Sequence, residues 1–243
     1  VDIFTHLSFF STAAATILGG IALNKSIGDC LKMAKMNVEN SRINSTLALS
    51  ELQKNITPNA NNEGLNLIAA NLLLKPRGIL AADESIKSIQ KKFDNIQINN
   101  TSDNRRSWRN ILLATPELRK YINGVILAED TIYQTTDSGH NFVDFLISKR
   151  IIPGVKVDRG LARFNNSGEY YTKGLEGLDE RLKTFYSLGL RFAKWRAAFE
   201  IKQDSNDRII GPKDEVILEN CRAMAKYARK CQLAGLVPIV EPE

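Results

Sequence analysis

Three stretches of this chain share one construction. In 151–158 (IIPGVKVD), 191–199 (RFAKWRAAF) and 236–243 (LVPIVEPE), an apolar run of strand length carries two ionisable residues separated by one. The pairs are Lys156 and Asp158, Lys194 and Arg196, and Glu241 and Glu243. Alternate residues of a β-strand face the same side, so each pair points one way. Runs this apolar are buried on both faces, as in a parallel sheet covered by helices. Two further runs, 78–84 (GILAADE) and 124–130 (GVILAED), belong to the series, and the first carries Asp83 at the end of its strand. The runs begin roughly 30–45 residues apart, with longer amphipathic stretches between them. That alternation predicts an α/β fold, either a βα barrel or a doubly wound sheet. The chain contains neither GxGxxG nor a P-loop, so dinucleotide binding of the usual kind has no support.

The stretches between the runs carry helix signals. Asn100 and Thr101 are candidate caps for a helix through "SDNRRSWRNILLAT", with Asp103 in its first turn. A second helix is predicted between Pro212 and Gly235, with proline early and glycine at its end.

In an α/β barrel the C-terminal ends of the strands form the catalytic mouth. Lys156, Lys194, Arg196, Asp83, Asp158, Glu241 and Glu243 would then meet there, three cations against four carboxylates. Unpaired buried charge is costly, so inward charges in such numbers are expected to compensate one another at a site. Crowded carboxylates raise one another's pKa and a nearby ammonium lowers it, which separates acid from base. A lysine crowded by other cations can supply a neutral amine for imine formation. Lysine and arginine at a mouth also bind phosphate. The set suits carbonyl chemistry on a phosphorylated substrate.

Composition narrows the field further. The net charge is +6, but the basic residues are scattered, so an anionic small substrate is preferred to nucleic acid. Cys30, Cys221 and Cys231 form no metal-type spacing and no disulfide framework. With only His6 and His140, a multi-histidine metal site is effectively excluded. No metal and no cofactor is expected.

Residues 1–60 have another texture. They are rich in Ser, Thr, Ala and Asn, and "LSFFSTAAATILGGIAL" is an apolar stretch without acids. Its length is marginal for a membrane span, so a membrane role is not expected. A targeting segment within residues 1–30 is one reading, and a buried helix is the other. The expected division is a divergent segment over 1–60 and a barrel-type domain over 61–243.

From about residue 65 onward the chain resembles class I fructose-1,6-bisphosphate aldolase. The resemblance rests on "GILAADES", "NRRSWR", "GVIL", "YQTTDSG", "GVKVDRG", "KGLEGLDER", "FAKWR" and "VPIVEPE", in that order. It implies a (β/α)8 TIM-barrel fold, of which about five strands are present, preceded by an extra N-terminal helical segment. It implies reversible cleavage of fructose 1,6-bisphosphate to dihydroxyacetone phosphate and glyceraldehyde 3-phosphate through a lysine Schiff base. It also implies a sugar-phosphate substrate, a homotetramer and a cytoplasmic location, or an organellar one if residues 1–30 are a targeting segment.

Carried over by motif, Asp83 would orient the substrate hydroxyls and assist carbon–carbon cleavage. Lys156 would help hold a phosphate, with Ser85 and Ser88 nearby. Lys194 and Arg196 would stabilise the carboxylates and the developing charge. Glu241 would be the general acid/base of imine formation, and Glu243 would hold the lysine network in its charge state. Ile86 and Lys87 stand where the family has small residues, and Lys92 where it has arginine. The family's Schiff-base lysine lies on the strand after "VEPE", in an "LLKP" setting, and the chain ends at Glu243. The expectation is therefore part of a longer aldolase. The alternatives are a truncated barrel that binds sugar phosphate without cleaving it, and an enzyme whose nucleophile is Lys194. The "LLLKP" at 72–76 precedes the first strand, and Lys75 is expected to be a surface lysine at a helix end.

Overall fold

A computed structural model describes residues 62–165, 168–206 and 208–243. The expectations for a targeting segment, a membrane span and Cys30 fall outside those residues. Five parallel strands form the central sheet: β1 (Gly78–Ala82), β2 (Ile122–Leu127), β3 (Ile152–Lys156), β6 (Phe192–Ala197) and β9 (Val237–Pro242), in that spatial order. Two short antiparallel hairpins, β4 (Leu161–Arg163) with β5 (Tyr170–Thr172) and β7 (Lys202–Gln203) with β8 (Ile209–Gly211), sit in the connections after β3 and β6. The helices are α1 (Asn62–Leu72), α2 (Ile86–Asn95), α3 (Ser102–Leu113), α4 (Phe142–Ser148), α5 (Leu178–Ser187) and α6 (Asp214–Leu233).

Strand periodicity sorts the core into two clusters. Leu80, Ala82, Val125, Leu127, Val155, Ala193, Trp195 and Ala197 face the outer helices. Ile79, Ala81, Ile126, Ile152, Phe192, Val237 and Ile239 face inward, where Ile68, Ala69 and Leu72 of α1 pack against them. Glycine opens the room these contacts need. A Cβ on Gly124 would lie 2.4 Å from Leu72 Cδ2, and one on Gly154 would lie 2.4 Å from the Phe192 ring.

The sheet is curled. Lys194 on the fourth strand reaches Asp83 at the end of the first, Nζ to Oδ2, at 3.2 Å. In a flat sheet their backbones would stand three strand spacings apart, about 14 Å. The expected partial barrel of about five strands is therefore present as a parallel half-barrel, with α1 seated against its inner face.

Local sequence accounts for the helix ends. Thr101 caps α3 by accepting from Asn104 N at 3.1 Å. Asn141 caps α4, its side chain accepting from Val143 N at 2.8 Å. Gly235, at φ +79°, follows the C-cap of α6. There Leu236 N donates to Cys231 O at 2.9 Å and closes the last turn. Pro212 lies outside α6, ahead of its N-cap Lys213 and two residues before the first helical residue, Asp214. Lys75 is exposed in the turn after α1, at the end of the strands opposite the mouth.

Candidate active site

Along each inner face the residues change from apolar to charged at one level. Ala82 pairs with Leu127, Leu127 with Val155, and Val155 with Ala193. One step further come Asp83, Lys156 and Lys194, and Lys156 and Lys194 are direct register partners. Phe192, Lys194 and Arg196 point inward, while Trp195 points outward and stacks on Tyr227 with ring centroids 5.3 Å apart. The Tyr227 hydroxyl donates to Ile239 O at 3.2 Å, which ties α6 to β9 beneath Glu241.

Lys194 is the centre of the cluster and is 6% exposed. Its ammonium lies 3.2 Å from Asp83 Oδ2 and 2.8 Å from Glu241 Oε2. The Glu241 contact is an ion pair. Burial pulls the Lys194 ammonium down, but Asp83 and Glu241 together outweigh it and hold the pKa above its ordinary value. A neutral amine at this position is therefore opposed by its surroundings. The Glu241 carboxyl is also held above its ordinary value. Burial raises its pKa, Lys194 offsets part of that, and Asp83 and Glu243 push it up again. A carboxyl group raised in this way is suited to holding and releasing a proton.

The rim has two more pairs. Arg196 Nη1 donates to Glu243 Oε2 at 3.0 Å, so Glu243 meets the arginine and acts on Glu241 by repulsion. Lys156 pairs with Asp158, whose buried carboxylate also accepts from Gly160 N at 3.0 Å and Arg196 N at 3.4 Å. Lys156 keeps a fifth of its side chain exposed. Ser85 and Ser88 are exposed just beyond Asp83, at the N-terminus of α2. Ser85 caps that helix, accepting from Ser88 N at 3.2 Å, and the two hydroxyls lie 3.0 Å apart. The mouth thus brings Asp83, Lys194 and Glu241 into direct contact, and sets the Arg196–Glu243 and Lys156–Asp158 pairs and the two serines around them. Among the described residues no group of His, Cys, Asp or Glu is placed to hold a metal ion. No helix among them is long and apolar enough to cross a membrane.

Two supporting residues have no role in the sequence reading. Glu84, directly after Asp83, pairs with Lys92 of α2 and with Arg109 of α3, which is 2% exposed. Arg109 Nη2 also donates to Glu84 O at 3.0 Å. Burial raises the Glu84 carboxyl, but Lys92 and Arg109 outweigh it and hold the pKa below its ordinary value. The signal was present in "SDNRRSWRNILL": Arg109 lies four residues before buried Leu113, on the inward face of α3.

Comparison with known proteins matches this chain to one family. A family model described as fructose-bisphosphate aldolase class-I matches residues 64–243. The chloroplastic fructose-bisphosphate aldolase 1 of Chlamydomonas reinhardtii is 44% identical over 183 residues, covering 75% of this chain and 47% of that protein. The cytosolic fructose-bisphosphate aldolase 4 of Arabidopsis thaliana is 46% identical over 168 residues, covering 69% of this chain and 41% of that protein. A solved structure of the Plasmodium falciparum aldolase, in complex with TRAP and a small-molecule inhibitor, superposes with a TM-score of 0.68 at 42% identity. That match covers 81% of this chain and 52% of the other. The chain spans about half the length of the curated relatives it matches. It belongs to the class I fructose-bisphosphate aldolase family.

Proposed function

We propose that this chain supplies the acid–base and substrate-orienting side of a class I aldolase, which cleaves fructose 1,6-bisphosphate reversibly into dihydroxyacetone phosphate and glyceraldehyde 3-phosphate. The observation that carries this is the contact of Lys194 with both Asp83 and Glu241 at the strand mouth. Glu241, its pKa raised, holds the proton that imine formation and dehydration require. Asp83 faces the substrate hydroxyls and assists carbon–carbon cleavage. Lys194 keeps a positive charge between the two carboxylates and stabilises charge that develops beside them. Glu243 pairs with Arg196, and the charge of Glu243 favours the protonated form of Glu241. Lys156, Ser85 and Ser88 bind a phosphate, with Lys156 turning from Asp158 to do so.

The imine-forming lysine is contributed, on this reading, by polypeptide beyond residues 1–243. Both lysines on the inner face of the sheet are ion-paired, and Lys194 is held charged. The same pairing favours a second reading, in which the half-barrel binds sugar phosphate without cleaving it. The family resemblance supports a homotetramer, and the free, buried thiol of Cys231 suits a reducing cytoplasm. A cleavage assay on the native gene product tests the first reading. Glu241→Gln should lower kcat for fructose 1,6-bisphosphate by about a hundredfold or more, with little change in KM. An unchanged kcat would remove Glu241 from the mechanism.

A further inference from the structure

The end of the half-barrel opposite the mouth is basic. Lys75 and Arg77 precede β1, Arg119 and Lys120 precede β2, Lys149 and Arg150 precede β3, and Arg191 precedes β6. In these entering segments the one acid is Glu117, which pairs with Lys120. Three of the arginines gather on adjacent strands. Arg77 directly precedes Gly78, which pairs with Ile122. Arg150 lies two residues before Ile152, which pairs with Gly124, two residues after Ile122. Arg77 and Arg150 therefore enter the sheet on either side of the start of β2, and the charges of both reach Arg119.

Arg119 is held against the start of β2. Its Nη1 donates to Asn123 Oδ1 at 2.9 Å and to Ile122 O at 3.4 Å. Asn123 in turn donates to Leu74 O at 2.7 Å and to Arg77 O at 3.5 Å, binding the turn before β1 to the start of β2. Arg119 is partly buried, and its guanidinium is pushed below its ordinary range by burial and by the charges of Arg77 and Arg150. Among the described residues no carboxylate offsets this, and none of the three arginines is ion-paired.

Arg150 adds an independent observation. It follows the C-cap of α4 at φ +59°, with Ile151 N donating to Leu146 O at 2.9 Å. The corresponding positions after α5 and α6 hold Gly189 and Gly235. Gln97 after α2 shares the left-handed conformation, but it leads into no strand directly. Glycine is the unstrained residue at such a position, so an arginine there keeps backbone strain that a substitution would remove. The dipole of α4 accounts for a cation at its C-terminus. It does not account for Arg77, in the segment before β1, or for Arg119, in the 3-10 helix Leu118–Lys120.

We propose that Arg77, Arg119 and Arg150 form a binding site for a phosphate-type oxyanion on the floor of the half-barrel. The planar forks of guanidinium groups fit phosphate oxygens in pairs. A bound dianion supplies the counter-charge that the cluster lacks and relieves repulsion around Arg119. The phosphate is either inorganic or the monoester of a small metabolite.

Titration of the 15N-labelled full chain with inorganic phosphate at constant ionic strength tests this, followed at the backbone amides of Ile122, Asn123 and Ile151. Saturable shifts at these amides are expected. Arg150→Gly should weaken the response about tenfold or more, while any response at Ser85 and Ser88 stays as in the unaltered chain. Glycine suits the backbone at this position, so the variant keeps its fold, and Arg119→Gln provides a second, independent loss. A parallel titration with glycerol phosphate separates the sources: tighter binding than inorganic phosphate identifies a phosphomonoester, and equal binding identifies the phosphate group alone. Floor amides that do not move, or that move equally in Arg150→Gly, overturn the site.

Discussion

At the scale of single residues, Lys194 organises the mouth through its charge. Two carboxylates stabilise one buried ammonium, and that ammonium in turn limits how far burial raises Glu241. Lys194→Met should therefore move the Glu241 titration midpoint further upward, measurable by carboxyl carbon NMR. A midpoint that stays in place would separate the two groups electrostatically. Linkage gives a second readout of the same contact. A lysine whose native pKa exceeds its ordinary value of 10.5 contributes stability in full below that value. The contribution is lost as pH rises through the native value. The unaltered chain should lose stability above pH 10.5 more steeply than Lys194→Met, as followed by denaturant midpoints. Glu84 has the opposite sign: its native pKa lies below 4.5, so its contribution is present above that value and lost as pH falls through the native one.

At the scale of elements, the strands were legible because period two is local. The runs at 78–84, 151–158, 191–199 and 236–243 contain four strands of the sheet whole, and 124–130 contains β2 except Ile122 and Asn123. The inward direction of Lys194 and Arg196 follows from the same alternation, with Trp195 turned out between them. The two hairpins were not legible, because strands of two or three residues carry no period. Nor was the partner of Arg109, since an ion pair between α3 and the turn after β1 depends on how the helix packs. That pair should be important to the turn carrying Asp83. Arg109→Ala leaves the Glu84 carboxylate with Lys92 alone and should cost about 3 kcal/mol or more in chemical denaturation. A loss below about 1 kcal/mol would show that the turn holds itself. Gly154→Ala should cost about 1–3 kcal/mol through its collision with Phe192. Combining it with Phe192→Leu should recover part of that loss, and a double variant no better than the single one would place the strain elsewhere.

At the scale of the whole molecule, five parallel strands and α1 form a half-barrel whose mouth carries paired charges and whose floor carries Arg77, Arg119 and Arg150, with no ion pair to any of the three among the described residues. The motif series in the sequence pointed to the barrel family and to the residues that meet at its mouth. It could not show that Lys194 is held between two carboxylates, because a charge state depends on distances that only the curled sheet sets. A neutral lysine crowded by cations was one outcome of the sequence pattern, and the structure shows a lysine crowded by anions. That result opposes a neutral amine at Lys194 and supports the proposal that a different lysine forms the imine. Borohydride trapping in the presence of dihydroxyacetone phosphate, with peptide mass spectrometry to locate the label, tests that assignment most directly. Residues 1–243 expressed alone should form no adduct at Lys156 or Lys194, whereas the native gene product should be labelled on a lysine beyond residue 243. An adduct on Lys194 would contradict the account.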